Sequence, residues 1–194
     1  EYLKIPNPCA GRINKKNVYK KNTPLKFDNF IQVGVECELG VFLKHDIACS
    51  KYSYSDKDIL NSIISIFPAI EIVDDRYENW KKSNTNILIA DDFFSAGCVM
   101  GTPVKFSKDL NLNQLHGTMK INNKIVGNGY GKDILGNPIN ALKWIFSRND
   151  VIGDTLPKNS FILLGSLVQT NWVKRGDKVE IEIGGLGGVK TEFL

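Results

Sequence analysis

The sequence predicts an α+β, β-rich domain. Short apolar runs alternate with period two and are separated by Gly, Asn and Asp turns, while only two stretches place apolar residues at helical spacing. The 194 residues suit one domain of moderate size. With 42% hydrophobic and 24% charged residues, the chain has the composition of a soluble globular protein that buries a core without staples.

Residues 1–29 contain Pro6, Pro8, Gly11 and Pro24 and little periodicity, so they read as irregular, with room for one short strand. Because the chain starts at Glu1, this segment is expected to be the remnant of a longer N-terminal region, with the folded domain over 30–194. Phe30–Leu43 reads as one long strand or two short ones: Val33, Val35, Cys37, Leu39 and Val41 alternate with Gly34, Glu36, Glu38 and Gly40. Ser55 offers a helix N-cap, with Asp56 and Asp58 in the first turn, where the helix dipole favours acids. Ile59, Leu60, Ile63, Ile64 and Phe67 continue at helical spacing, and Pro68 is expected to end that helix. Ala69–Val73 reads as a short buried strand. "TNILIADDFFSAG" is apolar and then turn-like and fits neither period. "TMKINNKIVGNGYG" has the form of a β-hairpin turning at Asn122–Asn123. Asn137–Pro138 starts a second helix, filled by Leu142, Trp144, Ile145 and Phe146. "FILLGSL", "KVEIEIG" and "GVKTEF" complete the chain as strands.

Charge and cysteine usage narrow the function classes. Residues 1–26 hold seven of the 25 basic residues and one of the 21 acidic, so they carry +6 and the rest −2. These lysines lie among Asn, Pro and Thr with few aromatics, which reads as a solvated loop rather than a nucleic-acid arm. Cys9, Cys37, Cys49 and Cys98 form no CxxC pair, so neither a disulfide framework nor a zinc site is suggested, and a reducing, cytoplasmic compartment is the simplest inference. With two histidines, His45 and His116, no histidine-based metal site is expected. No apolar run approaches the ~20 residues of a membrane helix, and no membrane or nucleic-acid partner is expected.

The unusual feature is acid inside apolar strands. Residues two apart on a strand share a face, so Glu36 and Glu38 present their carboxylates side by side. Taken alone, such a pair reads first as a wet sheet face and second as ligands for a hard divalent ion such as Mg²⁺ or Mn²⁺. Glu71, flanked by Ile70 and Ile72, shifts the balance, because a carboxylate in an apolar run is costly to bury without a partner. Three glutamates on two apolar strands make a candidate ligand set.

The stretches "VGVECELGVFLKHDI", "PAIEIVDDRY", "NTNILIADD", "GYGKDILGNPINALKWI" and "GDKVEIEIGGLGGVKTEF" occur in one order over nearly the whole chain. Together they resemble the hydratase/decarboxylase branch of the fumarylacetoacetate hydrolase superfamily, which includes 2-keto-4-pentenoate hydratases and 4-oxalocrotonate decarboxylases. The resemblance implies that Glu36, Glu38 and Glu71 bind one Mg²⁺ or Mn²⁺. It also implies a mixed-sheet, roll- or barrel-like core around that site with two main helices outside, a cytoplasmic location and homo-oligomerisation. The implied activity is that of a metal-dependent lyase adding water to a 2-hydroxy-2,4-dienoate, the cation stabilising the dienolate. The alternatives are decarboxylation of a 2-oxo-enedioate, hydrolysis of an acylpyruvate, and a non-catalytic homologue. Asp91 matches an aspartate of the family's "IAD" segment and is the candidate catalytic group; its other reading is a helix-end cap. Arg76, Asp92, Phe94, Gly165 and Ser166 match positions near substrate, and Arg76 either reaches substrate or pairs with Asp74.

The chain also departs from the family pattern. A Gly-Tyr-Lys-like segment whose lysine is a candidate acid/base would lie before Glu1. Cys9 stands where many relatives have Asp, Asn137 where they have His, and "ADDFF" replaces "ADNAS", so Asp92 stands for Asn and Phe94 for Ser. Such changes leave the three glutamates intact and make the pocket more apolar wherever Phe93 and Phe94 face it. They point to an unusual substrate, to groups supplied by the upstream piece, or to weak activity.

Overall fold

The structure is a computed structural model that describes residues 8–50 and 53–194. Its strands are β1 (Val18–Lys20), β2 (Val33–Leu43), β3 (Ile47–Ala48), β4 (Ile63–Asp74), β5 (Ser95–Met100), β6 (Val104–Lys105), β7 (His116–Ile121), β8 (Lys124–Tyr130), β9 (Thr155–Leu156), β10 (Phe161–Trp172), β11 (Lys178–Ile183) and β12 (Gly187–Glu192). The helices among them are α1 (Asp56–Ser62), α2 (Thr85–Ala90), α3 (Ile139–Phe146) and α4 (Asn149–Ile152).

Two sheets make the body. A six-stranded mixed sheet runs β1-β5-β4-β2-β10, with β6 also paired to β4. Only β1 and β5 run parallel; the other pairs are antiparallel. A four-stranded sheet runs β12-β11-β7-β8, and β3 pairs with β9 in a separate ribbon. The period-two alternation sorts the faces of β2 and β4. Val35, Cys37, Leu39 and Val41 of β2 and Ile66, Ile70 and Ile72 of β4 are fully buried, in one core with Met119, Val179, Ile181 and Val189 of the smaller sheet. The opposite face carries Glu36, Glu38 and Glu71. Cys37 and Cys98 are buried free thiols that pack as small core residues, and burial pushes both up to about 12.

The helix expected over Ser55–Phe67 stops at Ser62. Its start is as read: the Ser55 hydroxyl and Asp58 carboxylate form a reciprocal capping box. From Ile63 the chain is strand, because β2 offers an eleven-residue edge and β4 pairs with it from Leu43↔Ile63 to Val33↔Asp74. The β-branched Ile63, Ile64 and Ile66 suit that ladder. Pro68 is tolerated inside β4 because it sits where the partner on the far side changes from β5 (Ala69↔Met100) to β6 (Ile66↔Val104). The short strand read at Ala69–Val73 is thus the second half of β4. "TNILIADDFFSAG", assigned to neither period, contains α2, a turn and the start of β5.

The hairpin turns as predicted, with Asn122 and Asn123 at φ 51° and 65°, the left-handed pair of a type I′ turn. At α3 the Asn137 side chain accepts the Ile139 N–H at 3.1 Å, and Ile139, Leu142, Ile145 and Phe146 are buried. The described part of the first 29 residues is tied in: β1 joins the larger sheet and Leu25 bridges to Phe193. No helix among the described residues is long and apolar enough to cross a membrane.

Gly40 shows how closely the strands are packed. A Cβ there would lie 2.3 Å from the ring of the fully buried Phe67. Gly40→Ala is expected to destabilise the fold by about 1–3 kcal/mol through overpacking, visible as a lowered midpoint in urea with an unchanged slope.

Candidate metal centre

β2 and β4 set Glu36 directly opposite Glu71, and Glu38 opposite Ala69. Since side chains alternate across the sheet, all three carboxylates rise from one face, and one oxygen from each lies within 4.8 Å of the others. Glu38 is 2% exposed; Glu36 and Glu71 are partly buried. β10 closes the third side. Its pairing with β2 is interrupted between Leu163 and Ser166, and Gly165 there sits at φ 136°, a backbone open to glycine. That irregularity aims the Gly165 N–H at Glu38 Oε2, 2.9 Å away. The Thr170 hydroxyl donates to Glu36 Oε1.

Burial pushes all three carboxyls up. Glu71 is pushed up to about 8 by burial and then by the charge of Glu36. Glu38 rises well above the carboxylate range through burial and its two acidic neighbours, against the hydrogen bond from Gly165. Glu36 rises by burial, opposed by Thr170. The donor set fits a hard divalent cation. Oxygens on opposite sides of Mg²⁺ lie about 4.2 Å apart and on opposite sides of Ca²⁺ about 5 Å, so oxygens within 4.8 Å of one another can enclose one such ion with small adjustments.

The trio lines a cavity of about 1230 Å³. Asp92, Phe94, Gly165 and Ser166 line it too, as do Phe93, Trp80, Val73, Thr170 and Trp172. The Ser166 hydroxyl donates to Val168 O at 2.6 Å. Arg76 and Asp91 are not among the lining residues. Arg76 pairs with Asp91 rather than Asp74, its Nη2 2.7 Å from Asp91 Oδ2 and its Nε 3.2 Å from Oδ1. Asp74 is engaged elsewhere, accepting the Ile31 and Gln32 N–H groups. Asp91 also caps the C-terminal end of α2, its N–H on Ile87 O. The next three residues, Asp92, Phe93 and Phe94, are all left-handed, at φ 52°, 51° and 66°. Non-glycine residues held there cost on the order of 1–3 kcal/mol each and collect at functional sites.

Several cavity residues went unread in the sequence. Thr170 and Trp172 lie two apart on the second half of β10, beyond the "FILLGSL" stretch; the same alternation, carried five residues further, would have found them. Arg12 and Trp80 carried no local signal. Arg12 reaches the wall through its N–H on Asp92 Oδ1, 2.9 Å away.

Residues 13–194 match the model of the fumarylacetoacetate (FAA) hydrolase C-terminal family. The chain belongs to that family. Among curated relatives, this fumarylacetoacetate hydrolase-family chain is 28% identical over 191 residues to a 2-keto-4-pentenoate hydratase of Burkholderia vietnamiensis, covering 98% of this chain and 72% of the relative. It is 34% identical over 164 residues to 2-keto-4-pentenoate hydratase 1 of Dechloromonas aromatica, covering 84% of this chain and 61% of the relative. Among solved structures, the fold matches a 4-oxalocrotonate decarboxylase from Pseudomonas putida, complexed with magnesium and adipate, at TM-score 0.89 and 23% identity, covering 100% of this chain and 72% of that one. The β-rich fold expected from the resemblance is the fold observed.

A carboxyl that holds its proton more tightly folded than unfolded stabilises the fold fully below its unfolded value, 4.5 for Glu71, and loses that contribution as pH rises through about 8. The metal-free protein is therefore expected to lose Tm between pH 5 and pH 8, and Mg²⁺ or Mn²⁺ to restore it, with the larger gain at the higher pH. Glu71→Gln should flatten the metal-free profile and remove most of the metal-dependent gain. Thermal melts across pH, with and without EDTA, measure both.

Proposed function

We propose that this chain is a divalent-metal-dependent lyase that adds water to a 2-hydroxy-2,4-dienoate. The observation that carries the reading is the convergence of Glu36, Glu38 and Glu71 on one side of a large cavity. The hydratase names of the curated relatives and the magnesium in a structural relative support it. Held by the three carboxylates, Mg²⁺ or Mn²⁺ supplies positive charge against the negative charge that builds on a bound 2-oxo acid.

The chain's own groups have separate parts. Thr170 and Gly165 fix the rotation of Glu36 and Glu38 through hydrogen bonds to one oxygen of each. Gly165 and Ser166 form the wall where the acid end of the substrate lies. Asp92 and Asp133 are carboxylates on the cavity wall able to carry a proton, Asp133 while accepting the Tyr130 N–H at 2.7 Å. Asp91, engaged by Arg76, supports the Asp92–Phe94 turn from behind. A cytoplasmic location and a homo-oligomeric assembly go with this reading, the second measured by light scattering on the eluted protein.

The test is loss of dienol absorbance from 2-hydroxypenta-2,4-dienoate with Mg²⁺ or Mn²⁺, with CO₂ measured in parallel from a 2-oxo-enedioate. Metal-dependent hydration without CO₂ release is expected, abolished by EDTA and reduced about a hundredfold or more in Glu71→Gln. CO₂ release as the faster reaction would make the chain a decarboxylase. Absence of both across a panel of 2-oxo acids would make it a non-catalytic homologue.

A further inference from the structure

We propose that the cavity selects 2-oxo and 2-hydroxydienoic acids whose far end is a bulky apolar group, an aryl ring or a branched alkyl, and that Phe94 and Trp172 are the residues that select it. This rests on the reading of the glutamate trio as the anchor for the acid end.

Beyond the carboxylates the sheet face turns apolar. Toward the start of β2, Gly34 follows Glu36 on the same face, and Trp172 and Val73 close over it, within about 3 Å of where its Cβ would be. β5 then brings in Phe94. Ser95 pairs with Val73, two residues from Glu71, and the Phe94 carbonyl one residue further accepts the Asp74 N–H, so Phe94 leaves the sheet about 10 Å along the strand from Glu71. A short extended carbon chain spans that distance. Trp80, Phe93, Phe94, Val73 and Trp172 all line the cavity, Trp172 and Val73 meeting over Gly34 and Trp80 standing against Phe94, and we read them together as one apolar shelf at that end.

The shelf is held in place before any ligand arrives. Phe94 follows two left-handed residues and is left-handed itself. The Phe93 N–H binds Leu88 O at 2.8 Å, and the Asp74 N–H binds Phe94 O at 2.9 Å. Arg76 reaches the Ser95 carbonyl at 3.3 Å. The ring of Phe94 stands edge-on to both Tyr77 (5.3 Å) and Trp80 (6.0 Å). A ring so braced loses little freedom when an apolar group packs on it.

Charge disfavours the other kind of tail. Among the described lining residues, Arg12 is the one basic side chain, and it is exposed, with its guanidinium 3.5 Å from the Val151 carbonyl. Asp92 and Asp133 line the same cavity as the trio. A second carboxylate on the substrate would meet the rings of the shelf and the carboxylate of Asp92, which directly precedes Phe93 and Phe94 in the chain.

The test is calorimetric titration of the Mg²⁺-loaded protein with three non-reacting acids: 2-oxobutanoate, 2-oxo-4-phenylbutanoate and 2-oxoadipate. The phenyl acid is expected to bind at least about tenfold tighter than 2-oxobutanoate, and the diacid no tighter than 2-oxobutanoate. In Phe94→Ser, and separately in Trp172→Ala, the phenyl preference should fall below about threefold. Circular dichroism checks that each variant is folded; Trp172 is 46% exposed, so its truncation tests the shelf even if Phe94→Ser unfolds. A wild-type preference below threefold, tighter binding of the diacid, or an undiminished preference in the folded variants overturns the proposal. Turnover separates the two readings. A protein that hydrates the dienoate without preferring the phenyl acid loses only the shelf; one that prefers the phenyl acid without hydrating anything loses only the reaction.

Discussion

Like charge packed at short range is the constraint around which this fold is arranged. Glu36 and Glu71 face each other across an antiparallel pair, a placement that is destabilising for two carboxylates even on an open sheet. Glu38 adds a third and is almost wholly withdrawn from water. Without a counter-charge, the chain can keep this arrangement only by protonating part of it, which is the meaning of the raised carboxyls. Protonation is a poor solution near neutral pH. A cation removes both penalties at once, because it restores the charge balance and takes up the oxygens' lone pairs.

The rest of the larger sheet is organised to hold these oxygens still. β2 and β4 pair through their full lengths, so the register of the trio is fixed by many ladder bonds rather than by a loop. Their opposite faces bury Val35, Cys37, Leu39, Ile70 and Ile72, and a one-residue slip would send those side chains to the cavity and the glutamates into the core. The apolar alternation and the acidic alternation therefore enforce each other. β10 gives up regular pairing at Gly165, and what it gains is an N–H pointed at Glu38.

This division explains what was legible in the sequence. The glutamates could be read because period two is local and strict. The turn at Asn122–Asn123 and the Asn137–Pro138 lead into α3 could be read because each rests on residue types with a matching local preference. The end of α1 could not. Ile59, Ile63 and Phe67 satisfy a helical spacing, and nothing nearby says that β2 needs a partner as long as itself. Arg76 was likewise ambiguous, since its partner Asp91 comes near only once α2 has formed and ended. The direction of Phe94 was the least legible, because left-handed backbone at three successive non-glycine residues has no signature in their identities.

That last feature bears on why the strain persists. A small residue at position 94 would leave the turn with a backbone cost and no packing to offset it. Here the ring of Phe94 fits between Tyr77 and Trp80, and Arg76 ties the turn to the end of α2 through Asp91 and two backbone carbonyls. Edge-to-face aromatic pairs contribute roughly 0.5–1.5 kcal/mol each beyond the area they bury, the same order as the strain of one left-handed residue. The aromatic cluster and the Arg76–Asp91 pair are thus two parts of one brace, one acting on the side chain and the other on the backbone. On this view Arg76 and Asp91 act on substrate only indirectly, by fixing the wall against which its far end packs.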